Sequence, residues 1–156
     1  MVQDYVETPI VLADGEGERF LVRGVEITFK RPIGDAGGWT VLDYKMPPKQ
    51  FGAPLHYHQK LTESFYVLSG EIWFRAGGKE YTAGPGTFIL VPPGVPHSFA
   101  NRTDSPARLL GHASHPDLKN LLCELFKIIE AEPVWPPKDP RTIVELGKRY
   151  DTVYLP

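Results

Sequence analysis

Residues 56–70 read HYHQKLTESFYVLSG, and after fifteen intervening residues the chain continues, at residues 86–101, with GTFILVPPGVPHSFAN. These two segments supply three imidazoles and one carboxylate, from His56, His58, Glu63 and His97. Such a donor set suits a divalent first-row transition metal: iron, manganese, cobalt, nickel, copper or zinc. The sequence therefore predicts one bound metal ion of this class, used for Lewis-acid chemistry or for metal-assisted ligand binding.

The spacing of these residues indicates how one ion could contact all of them. Side chains two apart on a strand share a face, so His56 and His58 project together. The chain can turn between His58 and Glu63 to enter a neighbouring strand, and His97 follows a proline-rich turn. A closed β body can gather these segments and leave one or two coordination positions for water, dioxygen or substrate. A carboxylate beside an open position can act as a general base.

The overall composition excludes several classes of protein. A length of 156 residues predicts a single domain. The formal net charge of -2 gives no electrostatic footprint for nucleic acid or for an anionic membrane. The single cysteine, Cys123, allows no intrachain disulfide, which fits a reducing compartment. Residues 1–10 lack a signal-peptide pattern and no apolar run is long enough to span a bilayer, so a cytoplasmic location is predicted.

Short apolar runs punctuated by glycine and proline predict an all-β barrel or sandwich. The ten predicted strands cover residues 18–22, 26–30, 39–46, 55–58, 63–68, 71–75, 79–82, 87–91, 97–101 and 107–113. The β barrel is therefore expected over about residues 18–114.

The pattern becomes helical in the remaining part of the chain, residues 115–156. One apolar stripe at helical spacing comprises Leu118, Leu121, Leu122, Leu125, Phe126 and Ile129. Asp139 and Pro140 predict the start of a second short helix that runs through about Arg149. Two helices of this size cannot form a core of their own, so we expect them to pack on the barrel.

Several predicted strands are apolar on both faces, as in residues 65–68 and 72–74. A sheet with one wet face would alternate polar and apolar residues. We therefore expect the outer face to be covered by the C-terminal helices, by a second subunit, or by both. A homodimer is the simplest closed arrangement.

The two segments resemble the two signature motifs of the cupin superfamily. The second motif matches at each of its positions, which are Gly86, Pro92, Gly94, His97 and Asn101. The first motif matches from His56 to Gly70 but has Gln50 where the family has a glycine, and Gly52 follows it. The resemblance implies a double-stranded β-helix, a jelly-roll-like barrel, here forming one domain over residues 1–156 with two short C-terminal helices.

A narrower resemblance connects the chain to quercetin dioxygenase-like monocupins. It rests on Gly37 and Gly38 before a strand, on the approach loop at residues 47–55, and on the LGKRY ending at residues 146–150. The resemblance implies a metal that binds an oxidisable enol or enolate, with Glu63 helping to remove its proton. It implies a metal-dependent dioxygenase whose partner is an aromatic or enolic small-molecule substrate.

Two alternatives to the dioxygenase stay open on the sequence, because a fold does not fix a function. The first is an isomerase, epimerase or cyclase that uses the metal only as a Lewis acid. For phosphosugars it would need inward-pointing cations, and the candidates are Lys30, Lys45, Arg75 and Arg108. The second is a non-enzymatic, metal-dependent binding protein for a small molecule.

Other side chains have both a functional and an ordinary interpretation. His112 could contact substrate or a metal ligand, although a hydrogen-bonded structural histidine is favoured. His115 fits a helix cap, and Cys123 fits an inert thiol because nothing near it in sequence would lower its pKa. The aromatic candidates for a substrate pocket are Phe65, Trp73, Phe74, Phe88 and Phe99, and strand alternation places Phe65 and Phe99 inside.

Overall fold

The computed structural model describes residues 10–30, 38–115 and 117–156. Its strands are β1 (Glu18–Val22), β2 (Val25–Phe29), β3 (Thr40–Met46), β4 (Gln50–His58), β5 (Glu63–Ser69), β6 (Ile72–Ala76), β7 (Lys79–Ala83), β8 (Phe88–Val91), β9 (His97–Asn101), β10 (Ala107–Ala113) and β11 (Thr152–Tyr154). Its helices are α1 (Asp117–Ala131) and α2 (Arg141–Arg149). The predictions that rest on residues 1–9 and on Gly37 lie outside the described ranges.

The strands form two antiparallel sheets. One has the order β1-β2-β3-β10-β5-β8 and the other the order β11-β4-β9-β6-β7. Alternate residues of both sheets point inward and form the core, which includes Phe29, Leu42, Val67, Phe74 and Leu109. Burying these side chains between two layers is the main force that closes such a barrel. The predicted jelly-roll-like, double-stranded β-helix with two C-terminal helices is confirmed.

All ten predicted strands are present. In the sheet that contains β4, however, the start of β4 was predicted wrongly and one strand was missed. β4 begins at Gln50, whereas the sequence predicted a loop up to Leu55. Pro54 is tolerated inside this strand because the pairing of β4 with β9 shifts register between Ala53 and His56, so no regular ladder bond is lost there. The missed strand is β11, which pairs with β4 at the edge of the sheet.

The C-terminal helices do not cover the outer face of β5 and β8, contrary to one expectation from the sequence. Along those strands Phe88 is 61% exposed and Leu90 is 57% exposed, and Tyr66 and Leu68 are also exposed. Instead α1 packs beside β1 and β2, where Phe126 contacts Phe20 at 5.4 Å between ring centroids. The apolar stripe of α1 is therefore buried along the cavity wall, and the outer face of β5 and β8 stays exposed.

Polar contacts fix α1 in this position. Near the start of α1, Lys119 forms an ion pair with Glu18 of β1. Near its end, Nε of Arg23 donates a hydrogen bond to the carbonyl oxygen of Ile129 at 3.1 Å. A cation beside the last carbonyl groups of a helix satisfies acceptors that have no partner within the helix. Neither α1 nor α2 is long and apolar enough to cross a membrane, and no other helix occurs in the described residues.

Candidate metal centre

Two neighbouring strands of one sheet and one strand of the facing sheet bring the predicted ligands together. His56 and His58 lie on the same face of β4, and His97 is the first residue of β9, directly opposite His56 in the register of the two strands. Glu63 is the first residue of β5 in the facing sheet. All four side chains are buried. The alternation of side chains along β4 and the turns that precede β5 and β9 thus place the ligands in the barrel interior, as the sequence predicted.

The distances between the donor atoms fit a single ion. Glu63 Oε2 lies 2.7 Å from His97 Nε2, 3.2 Å from His58 Nε2 and 3.9 Å from His56 Nε2. One donor atom from each of the four residues lies within 4.8 Å of all the others. Nitrogen and oxygen ligands that lie about 2.1 Å from one ion are separated from each other by roughly 3 to 3.5 Å. The cluster can therefore hold one divalent metal.

The opposite nitrogen of each imidazole has a hydrogen-bond partner. Nδ1 of His56 lies 2.7 Å from the carbonyl oxygen of Pro54, and Nδ1 of His97 lies 3.0 Å from that of Val95. Nδ1 of His58 lies 2.9 Å from the hydroxyl of Thr152. A proton held on Nδ1 leaves the lone pair of Nε2 facing the site, which is the tautomer that binds a metal.

Burial and the Glu63 carboxylate set the ionisation of the cluster. Burial lowers the pKa of His56 to about 3, which keeps this imidazole neutral. Burial alone would raise the pKa of Glu63, but hydrogen bonds from His58 and His97 outweigh it and hold that pKa below its usual range. Burial would lower the pKa of His97, but the hydrogen bond to Glu63 outweighs it and raises that pKa. A cation bound here would displace the proton between His97 and Glu63.

A cavity that is partly open to solvent adjoins the ligands. His56, His58 and Glu63 form its polar end. Its apolar walls come from the barrel and from α1, and include Val25, Ile27, Phe99, Leu118, Leu121, Leu125 and Phe126. Two phenol groups, of Tyr44 and Tyr154, also belong to the lining. Any molecule that reached the ion through this cavity would lie between apolar side chains.

The comparison with known families agrees with this geometry, since residues 42–112 match the family described as a cupin domain. The barrel is a cupin domain. The match extends from β3 into β10 and includes all four ligands. The resemblance seen in the two sequence motifs is therefore confirmed.

Named relatives of this cupin differ in activity. Over 97 residues the chain is 33% identical to quercetin 2,3-dioxygenase of Bacillus subtilis (strain 168), an alignment that covers 62% of this chain and 28% of that protein. It is 27% identical to a sugar phosphate isomerase of the cupin superfamily from Silicibacter pomeroyi, with a TM-score of 0.52 and coverage of 61% of this chain and 62% of that one. KdgF from a Halomonas species shares the fold, with a TM-score of 0.59, 14% identity and coverage of 72% of this chain and 99% of that one. The cupin thus spans only part of the first two relatives.

The remaining candidate residues lie outside the ligand cluster. His112 stacks on Trp39 on the outer face of its sheet, with 5.3 Å between ring centroids, so it contacts neither ligand nor cavity. His115 accepts a hydrogen bond from the backbone of Asp117 at the start of α1, which confirms it as a cap. Burial raises the pKa of the half-buried Cys123, as expected of an inert thiol.

Of the aromatic candidates, only Phe99 lines the cavity in the described part of the cupin. Phe65 and Phe74 are buried in the core, Trp73 lies on the outside under Arg102, and Phe88 is exposed. Phe99 also explains Gly52, because a Cβ at that position would lie 2.5 Å from the Phe99 ring. This chain therefore requires a glycine at position 52, two residues after the family's glycine position, where β4 lines the cavity.

The sequence did not indicate two cavity residues, Tyr44 and Tyr154, or one partner of a candidate ligand, Thr152. Tyr154 packs against the His56 ring at 5.8 Å between ring centroids. Burial raises the pKa of both tyrosines, with added repulsion from Glu63, so each phenol keeps its proton. The alternation of Thr152, Val153 and Tyr154 was the only local signal of a strand there.

Proposed function

We propose that this cupin is a metal-dependent dioxygenase that acts on an aromatic or enolic small molecule. The observation that carries the proposal is the cavity beside the ligands, whose walls are apolar and aromatic. Such a lining favours a flat, largely uncharged substrate over a sugar or a nucleotide. The similarity to a quercetin 2,3-dioxygenase supports the same class, although the chain covers only 28% of that protein.

The roles of the residues follow from their positions. His56, His58, Glu63 and His97 would hold the ion, which supplies the site for an oxidisable substrate and for dioxygen. Glu63 would accept the hydroxyl proton of an enol, since its carboxylate faces the cavity and is held in the ionised form. The leucines of α1 would exclude water from the reacting atoms, and the phenols of Tyr44 and Tyr154 can donate hydrogen bonds to the substrate.

Oxygen uptake tests the proposal. The protein, loaded in turn with iron, manganese, cobalt, nickel and copper, is incubated in air with flavonols and with β-diketones. We expect one dioxygen to be consumed per substrate and both atoms of labelled dioxygen to enter the product. The His97→Ala variant is the control without a complete ligand set. Absence of oxygen uptake with every substrate at full metal occupancy would contradict the proposal.

The structure weakens the case for a phosphosugar isomerase. Of the four cations considered, Lys45 pairs with Glu26, Arg108 pairs with Asp43, and none of the four lines the cavity. Arg23 does line it, but its guanidinium donates to carbonyl oxygens at the end of α1. A metal-dependent binding protein is the other alternative, and tight binding of a flavonol without oxygen uptake would support it.

We also propose that the cupin forms a homodimer through the outer face of β5 and β8. Phe88 and Leu90 lie on the edge strand β8, and Tyr66 and Leu68 extend the same exposed surface. An edge strand with large apolar side chains is prone to pair with another chain. Light scattering should give the mass of a dimer, and Leu90→Glu should give the mass of a monomer. A monomer of the unaltered chain at micromolar concentration would contradict the proposal.

A further inference from the structure

The C-terminal strand β11 contacts the metal centre although it contributes no ligand. It runs antiparallel to β4, with Thr152 opposite His58 and Tyr154 opposite His56. The hydroxyl of the buried Thr152 lies 2.9 Å from His58 Nδ1, and the carbonyl oxygen of Asp151 lies 3.3 Å from the same atom. Two oxygen atoms, one from Thr152 and one from the preceding residue Asp151, therefore lie beside Nδ1 of His58, and Nε2 faces Glu63.

This partner differs in kind from the partners of the other two imidazoles. His56 and His97 each use a carbonyl oxygen only two residues earlier in the chain, at Pro54 and Val95. The geometry of those two pairs is set locally, by β4 and by the turn before β9. The orientation of His58 instead depends on a residue 94 positions away in the sequence.

Asp151 holds the loop that joins two of the ligands. Its carboxylate oxygen Oδ2 accepts hydrogen bonds from the backbone N–H groups of Lys60 and Leu61, both at 2.8 Å. Its carbonyl oxygen accepts a third from the N–H of Gln59 at 3.1 Å. Three consecutive N–H groups between His58 and Glu63 are therefore satisfied by one residue, which fixes the path from one ligand to the next.

Helix α2 holds β11 against the barrel. A Cβ on Gly147 would lie 2.5 Å from the carbonyl oxygen of Thr152, so only glycine allows the helix to approach this closely. The residues at the end of α2 bind α1 in turn, since Arg149 pairs with Glu124 at 2.6 Å and the Tyr150 hydroxyl donates to the same carboxylate. The position of β11 is thus determined by packing on two sides.

We propose that Asp151 and Thr152 are positioning residues for the metal centre: Thr152 orients the His58 ring, and Asp151 fixes the spacing between His58 and Glu63. Outer partners of this kind hold a ligand in the geometry and tautomer that the metal requires. The proposal depends on the four ligands binding a metal and not on the reaction that the metal supports, so it stands or falls separately from the proposed dioxygenase.

The substitution Thr152→Val tests the first half, because valine keeps the shape of threonine and removes the hydroxyl. Binding of Co²⁺ is measured by competition with a coloured chelator, and the visible spectrum of the bound Co²⁺ reports its ligand geometry. We expect the affinity to fall by about 10 to 100-fold, the usual cost of losing such a partner, and the spectrum to change. Thr152→Ser, which keeps a hydroxyl, should restore both properties.

Thr40→Val is the matched control. Thr40 is also a buried threonine, and its hydroxyl donates to the carbonyl oxygen of His115 at 3.0 Å, away from every ligand. Its loss should lower stability without changing the affinity or spectrum of Co²⁺. If Thr152→Val binds Co²⁺ as tightly as the unaltered chain with the same spectrum, or if both valine variants weaken binding equally, the role of Thr152 is overturned.

Asp151→Asn tests the second half in a chain that keeps the Thr152 hydroxyl. An amide oxygen can still accept one N–H, so we expect the variant to fold and its Co²⁺ affinity to fall by several-fold to about tenfold. An unchanged affinity overturns the role of Asp151. If the unaltered chain itself fails to bind Co²⁺, the whole proposal fails, whereas a chain that binds Co²⁺ but consumes no oxygen contradicts only the proposed dioxygenase.

Discussion

Strands β4, β5 and β9 carry the four candidate ligands, whereas the segment from α1 to β11 carries none of them and yet lies against the same site. The strands supply donor atoms, whose chemistry only a few residue types possess. The C-terminal segment supplies leucines, a threonine hydroxyl and a tyrosine ring, which are common in any protein. The strands therefore supply the atoms that can bind an ion, and the C-terminal segment determines the shape of the space beside them.

Removal of a ligand should have the largest effect. His97→Ala deletes one of the donor atoms nearest to Glu63, so metal affinity should fall by more than the roughly 10 to 100-fold expected for an outer partner. A competition titration measures the loss. His112→Ala is the control, because His112 lies on the outer face of its sheet and should be replaceable without loss of metal. Retained affinity in each of His56→Ala, His58→Ala and His97→Ala would show that the proposed site is wrong.

A substitution in the cavity wall formed by α1 should have the opposite effect: it should lower the stability of the protein and leave metal affinity nearly unchanged. Leu121→Ala removes a buried side chain, so the free energy of unfolding should fall by about 2 to 3 kcal/mol. Metal affinity should change little, since Leu121 supplies none of the donor atoms. Urea unfolding and Co²⁺ titration on the same protein separate the two quantities. Val134→Ala, at an exposed position, should change neither by much.

The two regions also differ in how far the sequence determines them. The cluster of candidate ligands was predictable because a metal restricts the residue types and a strand places alternate side chains on one face, as at His56 and His58. The apolar stripe likewise predicted α1 as a helix. The packing of α1 on the barrel was also expected, but the sequence left open which surface it covers, because a stripe shows that a helix is buried and not which partner buries it.

The position of β11 is a second feature that could not be predicted from the sequence. The strand is three residues long, and its pairing partner β4 lies more than ninety residues earlier, so neither its pattern nor its neighbours in sequence indicate its place. The hydrogen bond between His58 and Thr152 joins residues 94 positions apart, and helix α2 packs against Thr152 at Gly147. Contacts that depend on such long-range packing cannot be predicted from the sequence and are seen only in the structure.

Protons should compete with the metal for the imidazoles of the cluster, which lie on β4 and β9, and not for any group of the C-terminal segment. Each ligand imidazole must be neutral at Nε2, and the hydrogen bond to Glu63 raises the pKa of His97, so protonation of His97 begins above the usual histidine pKa. Affinity should therefore fall as pH falls, by about tenfold per unit for each displaced proton, and metal should be lost below roughly pH 6. Metal content after dialysis at pH 5 to 8 measures this. A constant content over that range would contradict the assigned ligands.

The smallest expected effect comes from the cavity phenols. Tyr44→Phe removes one hydroxyl and keeps the ring that packs on Phe99, so stability and Co²⁺ affinity should stay close to those of the unaltered chain. If the phenol donates to the bound substrate, KM or the ligand Kd should rise by roughly 2 to 10-fold, the value of one hydrogen bond. Tyr81→Phe, on the exposed strand β7, is the matched control. An unchanged KM in Tyr44→Phe would mean that the ligands and the apolar wall are sufficient to orient the substrate. The residues around the cluster would then contribute only the shape of the cavity and no hydrogen bond to the substrate.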